Sequence, residues 1–295
     1  MIKRIVCKLQ NLYISKFFTE ENIINYKYKK VYGVLPNLKN PVKFSEKIQC
    51  LKLGKFNELL HICSDKFLVK EYAKEKIGKE FIIPHYQVVN KWEEINFKTL
   101  PDKFVIKTNH DSGTVFIINN KNIEEKKLAI VKRKINKALK RDFGKISGEK
   151  FYSKIPRKII VEKLLETPNG KVPPDFKFHM FKKLNNDFKI IIQVDLDRFE
   201  NHKRGFFTEN WKQLPYITSS HHKIIDFEYP KPKSIDKMII LAKKLSEDFD
   251  YVRVDFYDTG SEIYLGELTF AHGSGFEKFT LEEGDIEFGK YWECF

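Results

Sequence analysis

Between residues 251 and 275 the chain reads YVRVDFYDTGSEIYLGELTFAHGSG. In an extended strand residues two apart share a face, so Arg253 stands beside Asp255 and Glu267 beside Thr269, while Val252, Val254 and Phe256 line the other side. Two carboxylates and a guanidinium together suit Mg2+ and a polyphosphate, because hard cations take carboxylate oxygens along with substrate phosphates. Whether the acids meet depends on the hairpin. A connection of three or five residues would put Arg253, Asp255 and Glu267 on one face; one of two residues would put the acids on opposite faces. Acids making ordinary surface ion pairs would read the same way.

Three further segments carry chemistry-bearing residues. FVIKTNHDSGTVFII ends a strand on Lys107 and turns through a Gly-containing loop. A lysine beside free backbone N–H groups can hold phosphate oxygens, although the GxxxxGK[ST] order of a Walker loop is absent. IIVEKLL carries Glu162 and Lys163 behind an apolar strand, and PPDFKFHMF puts Asp175 and Lys177 on one strand face. Each is nonspecific alone. Asp195-Leu196-Asp197 is a DxD triplet whose acids share a strand face, a pattern that can hold a metal on a nucleotide-sugar diphosphate. It makes a metal-dependent glycosyltransferase of polysaccharide biosynthesis the alternative reading. His221 and His222 face different ways and have no third ligand spaced nearby, so they read as loop residues.

These groups must be brought together by elements far apart in sequence. Residues 1–18 repeat Ile2, Ile5, Val6, Leu9, Leu12, Tyr13 and Phe17 at helical spacing, with basic residues between. Such a helix suits packing on its own domain, a second subunit, or peripheral contact with an anionic membrane. Residues 20–60 predict further helix broken at Pro36 and Pro41. Ser64 is expected to cap a helix that runs to about Ile77 and stops at Gly78. Strands follow near 86–89, 104–107 and 114–118, then a Lys-rich helix over 122–143. After Pro156 strands dominate, at 158–162, 176–181 and 188–194; a helix over 234–247 precedes closing strands at 251–257 and 263–270. Short connections imply mainly antiparallel strands and an α+β fold. The change at Pro156 marks the expected lobe boundary.

At 295 residues the chain can bury a sizeable core. Its net charge of +14 suggests an anionic partner, but Lys outnumbers Arg 47 to seven, so much of the excess reads as a solvated lysine surface and each Arg is worth inspecting. A nucleic-acid-binding protein is disfavoured, since the lysines are dispersed and no zinc-finger, RNA-recognition or helix-turn-helix signature appears. Cys7, Cys50, Cys63 and Cys294 form no CxxC pair, which argues against a zinc site or disulfide framework and makes a reducing cytoplasm the default. No stretch approaches the roughly 20 apolar residues of a membrane span, and the first residues lack a secretory apolar run. Oligomeric state leaves no signal.

In order and rough spacing the four segments resemble the ATP-grasp superfamily, and the chain is similar to its teichuronopeptide-biosynthesis (TupA-like) amidoligase branch. PVKFSEKIQ, SDKFLVKEYAKEKIG, LPDKFVIKTNHDSG, DLDRFENHKRGFF and VRVDFYDTGSEIYLGELTF carry the match, over about residues 40–275. The resemblance implies two α+β lobes holding ATP between antiparallel sheets: a helical extension at 1–60, a first lobe at 61–155 and a metal-binding lobe at 156–295. It implies that Lys66 and Lys107 contact ATP phosphates and that His110, Asp111, Ser112, Gly113 and Thr114 form a loop closing over them. Glu162, Lys163 and Leu164 would form the hinge against adenine, and Asp175 would meet the ribose. Asp255 and Glu267 would bind one or two Mg2+, with Arg253 steadying the transferred phosphoryl group and Lys203 or Arg204 adding a cation from a mobile loop. Many ATP-grasp enzymes end the metal strand Glu-x-Asn; here Thr269 is a weaker donor, and His272 stands where the branch usually has proline. The implied activity is amide ligation through an acyl phosphate. An acidic surface glycan, such as capsule or O-antigen, or its lipid-linked precursor would be amidated on a uronic-acid carboxylate by an amino acid or amino alcohol, at the inner membrane face. His110 and His272 are candidates for the base.

Overall fold

The computed structural model describes residues 19–54, 58–196, 202–218 and 223–295. The basic stretch 1–18, Asp197, His221 and His222 lie outside them. Helices α1 (Glu20–Tyr32), α2 (Phe44–Leu53), α3 (Glu58–Ser64) and α4 (Val69–Ile77) lead into strands β1 (His85–Val89), β2 (Phe104–Thr108) and β3 (Val115–Ile118). Helices α5 (Glu125–Leu139) and α6 (Phe143–Ser147) and strand β4 (Ile159–Lys163) follow. Then come β5 (Asp175–Lys182), β6 (Phe188–Leu196), β7 (Lys203–Thr208), β8 (Lys223–Ile224), α7 (Ile235–Ser246), β9 (Tyr251–Asp258), β10 (Ile263–Thr269) and α8 (Glu282–Tyr291).

The strands form a small sheet of order β1-β4-β2-β3 and a large one of order β10-β9-β5-β6-β7-β8. Pairing is antiparallel except between β7 and β8. Although β4 follows Pro156, it lies in the small sheet between β1 and β2. The sheets therefore part at residues 164–174, beyond the change of character at Pro156. The single Lys-rich helix expected over 122–143 is two helices, because Asp142 accepts the Lys145 backbone N–H at 3.0 Å and starts α6. Ser64 ends α3 instead of capping α4. The turn is made by Asp65, whose carboxylate accepts the Phe67 N–H at 2.8 Å.

Alternation explains how the large sheet builds both core and site. Phe176, Phe178 and Met180 of β5 pair in register with Phe256, Val254 and Val252 of β9, forming an apolar face. The opposite face carries Asp175, Lys177, His179 and Phe181, beside Tyr257, Asp255, Arg253 and Tyr251. At one end this face is aromatic: Phe44 of α2 meets Phe181, Tyr251 and Phe288 of α8 with ring centroids 5.1–5.8 Å apart. At the other end it is charged. Phe44 and Ile48 thus make α2 part of the main core. In the small sheet, Phe104, Ile106, Ile159 and Val161 pack under Val131 and Ile135 of α5.

Candidate active site

Asp255 and Glu267 are direct cross-strand partners, and Thr269 faces Arg253. The hairpin reaches this arrangement by neither expected loop. Its connection is four residues, 259–262, between Asp258 and Ile263, and it starts a register in which Leu265 faces Phe256. Continued, that register would turn Glu267 to the opposite face from Asp255. A β-bulge between Leu265 and Glu267 inserts Gly266 and restores the match. Gly266 suits the spot because a Cβ there would lie 2.9 Å from the Tyr257 ring and 3.3 Å from the Asp255 carbonyl.

Arg253 organises the acids. Nε and Nη2 donate to the two Asp255 oxygens at 2.7 and 2.6 Å, and Nη2 also reaches Thr269 at 3.0 Å and Glu267 at 3.3 Å. Lys177 binds Asp255 at 2.9 Å and also Asp175, with Asp195 at 4.0 Å. Burial drives the Asp255 carboxyl above its ordinary value, and Arg253 and Lys177 offset this only in part. Glu267 behaves oppositely. Burial pushes it up, but Lys66, Arg253, Lys177 and Lys107 together hold it at about 2. Its side chain is 37% exposed, so solvent weakens these fields.

The turn before α4 and the small sheet supply the facing cations. Lys66, on the turn before α4, donates to the Asp111 carbonyl at 2.6 Å and lies 3.7 Å from Glu267. Lys107, 7% exposed, is held by Glu162 at 2.5 Å. Glu162 also binds Lys70 of α4 at 2.9 Å. Its carboxylate therefore fixes two buried lysines, while Lys163 and Leu164 continue into the crossover, with Leu165 packed on Ile83 and Tyr264. In the loop at 110–114, His110, Asp111 and Thr114 are buried and only Ser112 and Gly113 are exposed. Asp111 ties that loop to Thr108, to Thr114 at 2.6 Å and to Arg141 at 3.0 Å.

Lys203 and Arg204 are the clearest correction. Both belong to β7, not to a mobile loop. Lys203 pairs with Asp226 at 2.6 Å at the surface. Arg204 is buried and bonds Asp195 at 2.7 Å and Glu277 at 2.6 Å. Asp195 also accepts from His202 and Gln193, so the first acid of the DxD triplet is committed to this network. Asp175 is likewise engaged by Lys177 and buried.

The surroundings of both candidate histidines disfavour the protonated ring. His272 Nδ1 meets Arg253 Nη1 at 2.7 Å. A guanidinium only donates, so Nδ1 accepts and the ring is neutral, with Nε2 toward Thr218 at 3.1 Å. Burial and the neighbouring His179 and Arg253 hold its pKa well below the ordinary value. His110 is also pushed down by burial. In the sequence Lys70, Tyr152 and Glu149 stand in no chemistry-bearing pattern. Only Lys177 carried a signal, its alternation with Asp175.

The TupA-like ATP-grasp family model matches residues 46–293. The chain belongs to the TupA-like ATP-grasp family. Solved structures similar to this ATP-grasp chain include D-alanine–D-alanine ligase from Helicobacter pylori, at 18% identity and TM-score 0.45, over 78% of this chain and 61% of that one. Another is N5-carboxyaminoimidazole ribonucleotide synthetase from Thermus thermophilus, at 14% identity and TM-score 0.41, over 84% and 52% respectively. The ATP complex of D-alanine–D-alanine ligase from Bacillus anthracis is similar at 15% identity and TM-score 0.40, over 72% and 55%. The chain thus spans between about half and three fifths of these proteins' lengths. No curated protein matches its sequence. Among the described residues, no helix of this ATP-grasp protein is long and apolar enough to cross a membrane.

Proposed function

We propose that the protein is an ATP-dependent carboxylate–amine ligase working through an acyl phosphate. Its acceptor is a uronic-acid carboxylate of an acidic surface polysaccharide or lipid-linked precursor, and its amine an amino acid or amino alcohol. The observation that carries the reading is that Arg253 bonds both Asp255 and Glu267, which are direct cross-strand partners, with Lys66 3.7 Å from Glu267 and Lys177 2.9 Å from Asp255.

Phosphoryl transfer needs alignment and charge stabilisation more than covalent work. Lys107 and Lys66 offer ammonium groups to the nucleotide phosphates, with Lys107 kept in place by Glu162. Arg253 is fixed by Asp255, Thr269 and His272 and aims its guanidinium at the edge of the same acids. Among the described residues no group of three His, Cys, Asp or Glu could hold a metal alone. Asp255, Glu267 and Thr269 instead fit Mg2+, which is commonly bound by one or two carboxylates together with substrate phosphates. The donors are all oxygen, as a hard cation requires, and Glu267 and Thr269 line the cavity beside Lys66 and Arg253. When bound, Mg2+ would supply Lewis-acid neutralisation of phosphate charge. Ser112, at the exposed tip of the loop, lines the cavity beside Lys66 and Arg253, where a closing loop would exclude the water that hydrolyses an acyl phosphate. The net charge of +14 supports an anionic acceptor at the inner face of a membrane.

A coupled ADP-release assay with methyl glucuronide and a panel of amines tests this. ADP release that requires both substrates and disappears in Asp255→Ala and Lys107→Ala is expected. Hydrolysis of a UDP-sugar without any response to ATP would overturn it in favour of a transferase.

A further inference from the structure

A cavity of about 380 Å³ is lined by Lys66, Arg253 and Glu267 from the site and by Glu149, Tyr152 and Ser274 from outside it. That is near the lower end of the ~300–1,000 Å³ of small-molecule sites, room for a small reactant beside the phosphoryl-transfer groups. Glu149 is the one carboxylate on this wall that nothing above uses. It is 5% exposed and follows Gly148, whose left-handed φ of 78° ends α6. Ser147 and Ser274 stand beside it and pull its pKa down, while their hydroxyls donate to the Phe143 carbonyl at 3.0 Å and the Ser147 carbonyl at 3.1 Å. Lys52 of α2 is the cation whose field acts most on it. That ammonium is spent on Gln49 at 3.0 Å, the Ser274 carbonyl at 3.0 Å and Ser274 Oγ at 3.1 Å. Lys27 of α1, the other cation acting on Glu149, donates to the Ile146 carbonyl at 2.9 Å. Lys52 and Lys27, the latter also lining the cavity, act on Glu149 through their fields while their ammonium groups are bonded elsewhere, and the carboxylate remains able to take a cation from the cavity.

We propose that this cavity is the amine subsite, where Glu149 binds the incoming primary ammonium ion and accepts its proton. The proposal rests on the ligase reading. R–NH3+ gives one proton to Glu149, and the freed amine attacks the acyl carbon. The carbon–oxygen bond to phosphate breaks, and the second amine proton leaves with inorganic phosphate as HPO4²⁻. Burial raises the Glu149 carboxyl above its ordinary value, with Lys52, the two serines and Lys27 pulling part way back, which makes it a better base. Tyr152, the remaining titratable group on this wall, stays protonated, since burial holds its pKa well above the ordinary value.

The test compares nucleophiles in the full-length protein with ATP, Mg2+ and methyl glucuronide. Glycine and 2-aminopropanol enter as ammonium ions; hydroxylamine is largely neutral at pH 7 and needs no base. In Glu149→Gln, amide formation from the ammonium donors should fall by at least ~100-fold, the size of a general-base contribution, with hydroxamate formation kept within a few-fold. Equal loss with both nucleophiles, or full amide formation, overturns the assignment. Should that variant not fold, the wild-type kcat profile at saturating amine decides. An acidic limb at one fixed pH for amines of different basicity supports Glu149, and a limb that tracks each amine's own basicity overturns it. Wild-type protein that makes neither ADP nor hydroxamate refutes the ligase reading instead.

Discussion

Replacing Glu162 by glutamine keeps the shape of the side chain but removes the charge shared by Lys107, at 2.5 Å, and Lys70, at 2.9 Å. All three side chains are 10% exposed or less, so the variant leaves two ammonium groups buried without their counter-charge. Breaking a buried pair in this way costs about 3–5 kcal/mol. Lys70 keeps the Ile83 carbonyl at 2.9 Å, which favours the lower part of that range. At about 2–4 °C per kcal/mol for a chain of this size, the melting temperature at pH 7 should fall by roughly 6–20 °C. The pH dependence has a definite sign. Burial alone would raise the Glu162 pKa, but Lys107 and Lys70 outweigh it and hold the folded value below the ordinary 4.5. Its stabilisation is therefore complete above that value and is lost as pH falls through the folded pKa, so wild type and variant should converge in acid. Adding Lys70→Met to Glu162→Gln should cost less than Lys70→Met alone, because one unpaired cation is removed. Paired thermal melts across pH read all of this. A melting temperature within roughly 2 °C of wild type at pH 7 would refute the two-lysine account.

Gly266→Val should destabilise by about 1–3 kcal/mol through overpacking, since its Cβ would press on the Tyr257 ring at 2.9 Å. It should also weaken Mg2+-dependent nucleotide binding. Unchanged binding would mean the bulge does not set the face of Glu267. His272→Ala removes the acceptor of the Arg253 guanidinium and should lower kcat by about tenfold, the worth of one charged hydrogen bond. Asn in its place, with a carbonyl acceptor, should recover part of that, and equal kcat in all three proteins would exclude a positioning role. Because His272 stays neutral, no step in activity between pH 6 and 8 should disappear with it.

The interior strands were legible because runs such as IIVEK and FKIIIQV bury nearly every residue, which a short apolar run between turns announces. The acids of β9 and β10 were legible as types, but their meeting was not, since it rests on a one-residue bulge that period-2 reasoning cannot see. For Arg204 the resemblance implies a mobile loop, whereas the residue lies in β7, bonded to its cross-strand partner Asp195 and to Glu277 from a distant segment. Glu149 and Lys70 gave no local signal at all. Each acquires meaning only from what the fold packs against it.

The central claim is that one nucleotide and its Mg2+ sit between Lys107 of the small sheet and Asp255 of the large one. Calorimetric titration of ATP, with and without Mg2+, into wild type, Lys107→Met and Asp255→Asn tests it most directly. Wild-type binding should tighten with Mg2+. Lys107→Met should lose about 1.5–3 kcal/mol, roughly 10- to 150-fold in Kd, and Asp255→Asn should lose the Mg2+ response. Equal Kd values in all three proteins, unaffected by Mg2+, would contradict it.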